Sequence, residues 1–197
     1  MREIRLRRHP EVYEPAEDTF LLADNLDVRE KDAVLEVGVG SGYVSLIAAE
    51  KAETVVGIDI NPHAVRLAKS NAKLNGIRNV DFIVGDLFSP LSGRFDLVVM
   101  NPPYLPEEKV HTGYLERSWN GGGDGRAVTD RFIDEVDHYL KRGGRVEIVQ
   151  SSISGCDETI RRLCESGFKT RIVAECRLFF ERIVLIKAMK PDGCSCS

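Results

Sequence analysis

The sequence predicts an α/β fold: a doubly wound, mostly parallel sheet of seven strands with one antiparallel strand near its edge. Three observations carry this expectation. Short apolar runs rich in β-branched residues alternate with helical patterns, which calls for parallel strands with helices on both faces. The first apolar run passes directly into a glycine-rich turn, Gly38-Val39-Gly40-Ser41-Gly42, where a backbone can approach a ligand closely. The last two strand-like runs follow each other without an intervening helix, the pattern of a terminal hairpin that introduces one antiparallel strand.

Taken in order, the residues through Leu26 read as a helix that Asp18 or Thr19 can cap. Ala33 to Val37 is the first strand and Thr54 to Asp59 the second. Between Pro62 and Asn75 the helix grammar is complete, with Asn61 as cap, Pro62 in the first turn and Gly76 closing the last. Val65, Ala68, Ala72 and Asn75 share one face of that helix, so its sheet-facing side is mostly small and apolar. Val80 to Val84 and Phe95 to Met100 are the third and fourth strands. Val128 to Leu140 reads as a helix, Arg145 to Gln150 as the fifth strand and Cys156 to Glu165 as the last helix. Phe168 to Ala174 and Arg182 to Lys187 form the closing pair. In this order Val80 to Val84 lies at a sheet edge, with Phe82 and Val84 exposed there and Asp81 only partly blunting it.

The 197 residues suit one domain, 1–197, with an N-terminal segment of about 30 residues (1–30) and a short flexible tail at 190–197. Apolar residues make up 43%, and no apolar run approaches the roughly 20 residues of a membrane span. Lys and Arg total 27 against 31 Asp and Glu, a formal charge of −4, which argues against non-specific binding to nucleic acid. Arg2, Arg5, Arg7 and Arg8 form a local basic cluster that reads as a solvated tail. The five cysteines are too few and of the wrong parity for a disulfide framework, which places the chain in a reducing, cytoplasmic compartment. Cys194-Ser195-Cys196 lacks a second ligand pair, so no metal site is expected. Residues 105–125 form a long glycine-rich loop that holds the one tryptophan, Trp119, and read as a substrate-covering flap.

The candidate cofactor residues follow from the strand ends. Gly38 and Gly40 make the turn. Asp59, at the end of the second strand, stands where a ribose diol accepts carboxylate bonds, its other reading being a helix cap. Glu36 precedes the turn directly. A carboxylate there is repelled by a pyrophosphate but complements an ammonium group, which favours an amino-acid cofactor over a dinucleotide. Asp86, in Gly85-Asp86-Leu87, is placed to accept from an adenine amino group. Together these residues point to S-adenosylmethionine.

Asn101-Pro102-Pro103-Tyr104 follows the fourth strand, where ligands bind in such sheets. An amide NH2 conjugated into a planar π-system is a poor nucleophile. The Asn101 side-chain oxygen and the Pro102 carbonyl can take its two N–H bonds and push electron density onto nitrogen. Tyr104 can stack on the planar group and face a methylsulfonium. Asn101, Pro102 and Tyr104 are therefore the candidate catalytic residues, with Pro103 in the substrate contact.

In order and spacing, these residues resemble the class I methyltransferases of the HemK type, with a Rossmann-like fold. Tyr13 to Leu22, Tyr-Glu-Pro-Ala-Glu-Asp-Thr-Phe-Leu-Leu, resembles the archaeal and eukaryotic branch that methylates the glutamine of the Gly-Gly-Gln motif in class-1 translation release factors. The resemblance implies cofactor contacts from Thr19, Glu36, Gly38, Gly40, Asp59, Asp86, Leu87 and Asn101. It further implies substrate contacts from Trp119, Gly122 and Arg126. It also implies a small zinc-binding activator subunit, for which strand addition at the third strand is a docking mode. The helical N-terminal domain of the bacterial enzymes has no counterpart here.

Other chemistries use the same tetrapeptide. Methylation of an adenine or guanine exocyclic amine would need a basic groove and a way to present the base, which this acidic chain does not offer. Lysine methylation suits electron-donating acceptors only after deprotonation. A non-catalytic cofactor-binding scaffold has no need of Asn101 and Tyr104 together.

Overall fold

The computed structural model describes residues 3–104 and 125–191. Its sheet is built from β1 (Ala33–Val37), β2 (Thr54–Asp59), β3 (Val80–Val84), β4 (Phe95–Met100), β5 (Leu140–Ser151), β6 (Lys169–Arg177) and β7 (Arg182–Met189). The spatial order is β3-β2-β1-β4-β5-β7-β6, and β7 runs antiparallel to both β5 and β6. The order reverses at β1, so β1 and β4 leave a crevice at their carboxyl ends.

Alternation along the central strands divides the core. Val34, Leu97 and Val99 pack toward α1 (Glu17–Asp24) and α2 (Tyr43–Ala48). Leu35, Val37, Val98 and Met100 pack toward α4 (Ala127–Val136) and α5 (Cys156–Glu165). Both faces of these strands are buried, as expected for parallel strands covered by helices on each side. Helix α3 (Pro62–Asn75) has the predicted grammar: the Asn61 side chain accepts from His63 N–H, and Gly76 ends the helix with φ 68°. Val65, Ala68, Ala72 and Asn75 are all buried. Gly42 starts α2 at φ 85°, and a Cβ there would stand 2.9 Å from the Ala68 Cβ. Only glycine fits that close approach of α2 to α3.

Four expectations need correction. The helix expected to run to Leu140 stops at Val136, and a 3-10 turn (Asp137–Tyr139) hands the chain to β5, which begins at Leu140. Tertiary packing decides this: the Tyr139 ring stacks on Phe88 at 4.5 Å and Leu140 pairs with Phe95. The irregular pairing after Phe95 absorbs Gly143 and Gly144, which had hidden the start of the strand. Phe82 is not exposed at the edge; its ring is buried against the α3 face beside Gly57. Val84 alone of that pair faces solvent, at 50% exposure.

The described part of the basic cluster, from Arg5 to Arg8, is not a free tail either. The backbone N–H groups of Arg5 and Arg7 donate to the Asn75 and Asn71 side chains of α3, and Ile4 and Leu6 pack against the same helix. Finally, α1 is not capped by Asp18 or Thr19. Its N-cap is Ala16, without a side-chain bond, and Asp18 turns inward.

Candidate active site

The carboxyl ends of β1, β2 and β4, with the turns that follow them, surround a cavity of about 490 Å³. That size suits a nucleoside cofactor with part of a substrate. Each sequence-predicted cofactor residue lines it: Thr19, Glu36, Gly38, Gly40, Asp59, Asp86, Leu87 and Asn101. So do Pro102, Pro103 and Tyr104. Trp119 and Gly122 lie outside the described residues, as does nearly all of the expected flap.

Asp59 is held by the glycine turn. One carboxylate oxygen accepts from Gly40 N–H at 2.9 Å and the other from Asn61 N–H at 2.8 Å. Since Asn61 caps α3, Asp59 is not the helix cap, and its remaining lone pairs are available to a diol. Burial raises its pKa, while these backbone bonds act in the opposite direction. Glu36 is 3% exposed and accepts a short hydrogen bond from Ser45 Oγ. Burial pushes its carboxyl up to about 8, against the lowering effect of Ser45. A cation arriving beside such a buried carboxyl favours its ionised form. Asp86 forms an exposed ion pair with Arg131 at 2.9 Å, so any adenine amino group shares that carboxylate with Arg131.

The centre of the site is Asp18, which is 4% exposed. Its Oδ2 accepts from Asn101 Nδ2 at 3.0 Å and from Tyr104 OH at 3.0 Å. Its Oδ1 accepts from Thr19 N–H at 2.6 Å, and the Tyr13 hydroxyl donates to the same carboxylate at 3.2 Å. Burial and then the Asp18 charge raise the pKa of both phenols, which therefore remain donors. Because Asn101 donates from its NH2 to the Asp18 carboxylate, the amide orientation is fixed and its oxygen faces away from Asp18. That oxygen is buried and has no hydrogen-bond partner among the described residues. An unsatisfied buried acceptor costs about 1–3 kcal/mol, a cost that an arriving N–H donor removes.

Arg126 is placed differently from the expected substrate contact. It is buried and donates to the Ser154 and Gly155 carbonyls and to Thr159 Oγ1, and it pairs with Asp130 at 2.6 Å. It pins the turn after β5 onto α4 and is not part of the cavity wall. Sequence reasoning missed Tyr13, Arg131 and Glu181 as cavity residues and saw Asp18 only as a cap. For Asp18 no signal set it apart from Glu17 and Asp24 in the same short helix, and Glu181 carried none.

A glycine turn beneath paired carboxylates, at the switch point of a seven-stranded sheet with antiparallel β7, defines a Rossmann-like methyltransferase. The chain belongs to the methyltransferase small domain family, whose model matches residues 3–178. A protein of Methanocaldococcus jannaschii named for protein N5-glutamine methylation is 52% identical over 192 residues, 95% of this chain and 96% of that protein. Mouse methyltransferase HEMK2 is 34% identical over 176 residues, 81% of this chain and 80% of its own length. Among solved structures, the E. cuniculi Mtq2–Trm112 complex, described as methylating the translation termination factor eRF1, is similar. It has a TM-score of 0.71 and 29% identity, covering 91% of this chain and 99% of the matched one.

Proposed function

We propose that this chain methylates the side-chain nitrogen of a glutamine, using S-adenosylmethionine, and that the glutamine is that of the Gly-Gly-Gln motif in a class-1 translation release factor. The single observation carrying this reading is the Asn101 oxygen: a buried acceptor without a partner among the described residues, its amide locked in orientation by Asp18. It suits a substrate that brings N–H donors. The names of the relatives at 52% and 34% identity, and of the eRF1-methylating complex, support glutamine as the acceptor.

The residues present fit the cofactor: Glu36 for the ammonium, Asp59 for the diol, Asp86 and Leu87 for the adenine. When bound, S-adenosylmethionine supplies a methyl group on a sulfonium centre. The protein's part is orientation and electrostatics. The Asn101 oxygen and the Pro102 carbonyl hold the two N–H groups of the substrate amide and direct the nitrogen. The Tyr104 hydroxyl is tied to Asp18, which fixes the ring face beside the amide plane. As positive charge develops on nitrogen, both acceptors strengthen, and the buried Asp18 carboxylate stands behind Asn101 with the complementary charge. The methylated amide cation is acidic enough to lose its proton to water, so no general base is required. Alignment of this kind contributes up to about 7–11 kcal/mol in favourable cases.

Glu36 leads to a prediction about cofactor binding. Its folded-state pKa of about 8 lies above the ordinary 4.5, so the free protein holds a proton on it near neutrality. Its contribution to stability is complete below the ordinary pKa and is lost as pH rises toward about 8. An ammonium group arriving beside it drives ionisation. Binding at pH 7 is therefore expected to release close to one proton, and the release should fade above about pH 8. Calorimetry in buffers of different ionisation enthalpy measures this; binding without proton release would mean that Glu36 does not meet the ammonium.

A small partner subunit of the activator kind, zinc-binding in the resembled branch, is part of the same proposal. Among the described residues, strand β3 pairs with β2 alone, and its outer edge suits strand addition. The decisive experiment incubates the chain, alone and co-expressed with such a subunit, with labelled cofactor, a release factor and nucleic acids. Mass spectrometry then locates the label. Label on the Gly-Gly-Gln glutamine is expected; label on a nucleobase or on lysine, with none on glutamine, overturns the reading.

A further inference from the structure

The turn between β6 and β7 exposes more apolar surface than its fold requires. Leu178 N–H donates to the Glu181 carbonyl at 2.8 Å, which closes a tight turn with Phe179 and Phe180 at its tip. These rings are 96% and 90% exposed, with centroids 5.5 Å apart. Tight turns ordinarily take Gly, Asn, Asp or Pro at such positions, and neither phenylalanine helps to close this one. Two adjacent aromatic rings held in water on a tight hairpin turn carry a cost without a folding return.

Their location gives the rings a use. Strand β6 runs parallel to β5 and β7 runs opposite, so the β6–β7 turn rises at the same carboxyl-end face as Asn101. The next residue, Glu181, lines the catalytic cavity and accepts from Ser151 Oγ at 2.5 Å. The neighbouring turn after β5 is tied to the hairpin through Arg182 N–H to Ser152 Oγ at 3.0 Å, and it carries Ile153, 49% exposed. The apolar tip is thus anchored at the cavity rim by the bonds of Glu181 and Arg182, which directly follow the rings.

We propose that Phe179 and Phe180 dock the protein substrate beside the catalytic cavity, gripping an apolar part of its surface next to the accepted glutamine. This deepens the functional reading above and rests on it. Only a side-chain amide enters the cavity, and glycines flanking a glutamine offer no side chains to hold. Affinity for a folded substrate must therefore come from contacts outside the cavity, where aromatic anchors are the most effective kind. The partner is accordingly a folded protein with an apolar patch near its glutamine. A short peptide carrying the motif alone lacks that patch.

The test compares the whole enzyme with Phe179→Ala/Phe180→Ala, in steady-state kinetics on a folded release factor and on a short Gly-Gly-Gln peptide. For the folded factor KM is expected to rise about tenfold, as for loss of one good anchor, with kcat near normal. Peptide kinetics and cofactor affinity should not change, and Phe179→Leu/Phe180→Leu should restore much of the loss. Equal KM for the folded factor in both enzymes overturns the docking role, as does an equal loss on factor and peptide. If the rings instead join two copies of this chain, sedimentation changes while KM does not, which also overturns it. No label on the release factor from the unaltered enzyme sinks the functional reading itself. Label with an unchanged KM sinks the docking role alone.

Discussion

Asn101→Ala is expected to abolish methyl transfer while leaving cofactor binding nearly intact. In the proposed mechanism the side chain provides one of the two acceptors directed at the substrate nitrogen, and its oxygen has no partner to lose among the described residues. Removing one preorganised group of this kind costs about 2.7–4 kcal/mol, a drop of roughly 10²–10³ in kcat. Cofactor affinity changes little because the principal polar groups proposed for it, Glu36 and Asp59, keep their own partners: Ser45 for one, Gly40 and Asn61 for the other. Asn101→Asp separates geometry from charge. It preserves the shape but places a carboxylate against Asp18, and it should be at least as damaging. Single-turnover rates with cofactor binding measured in parallel decide the matter. Near-normal turnover in Asn101→Ala would remove Asn101 from the mechanism.

The frame of the site was legible because local chemistry sets it. The bounds of β1, β2, α3, β3 and β4 follow from short apolar runs, from Asn61 and Pro62 at one end of α3, and from Gly76 at the other. Those elements carry Glu36, Asp59, Asp86 and Asn101 to one crevice, so residues chosen by strand-end logic met in space. What could not be read was any property made by distant packing. The bond between Asp18 and Asn101 spans 83 positions, and no spacing rule predicts it. Arg126 was expected at the substrate because its segment resembles the substrate loop of the family branch. The structure buries it, where its hydrogen bonds to Ser154 and Gly155 hold another turn in place. Phe82 was expected to be exposed because edge position governs the backbone of a strand; its side chain still points into the α3 interface.

Asp18→Asn is the second substitution with a large expected effect, and it tests whether orientation of Asn101 is a separate requirement. The carboxylate accepts from Asn101, Tyr104, Tyr13 and Thr19 together. An amide in its place has a single acceptor oxygen and adds an NH2 that confronts those same donors. Asn101 then loses the partner that dictates which end of its amide faces the substrate, and Tyr104 loses the anchor of its ring. With the buried negative charge also gone, kcat should fall by about 10²-fold, the scale of losing one preorganised electrostatic group. A merely structural role would lower thermal stability and cofactor affinity together with rate. A positioning role lowers kcat far more than it raises KM for the cofactor, because Thr19 and Asn101 are the expected cofactor residues that bond to Asp18, while Glu36 and Asp59 keep their own partners. The double variant with Asn101→Ala carries the sharper test. If Asp18 acts through Asn101, the combined loss falls short of the sum by about 0.5–3 kcal/mol, as for contacting residues in one network. Strict additivity would show that Asp18 contributes independently of Asn101, and the orienting role assigned to it would fail.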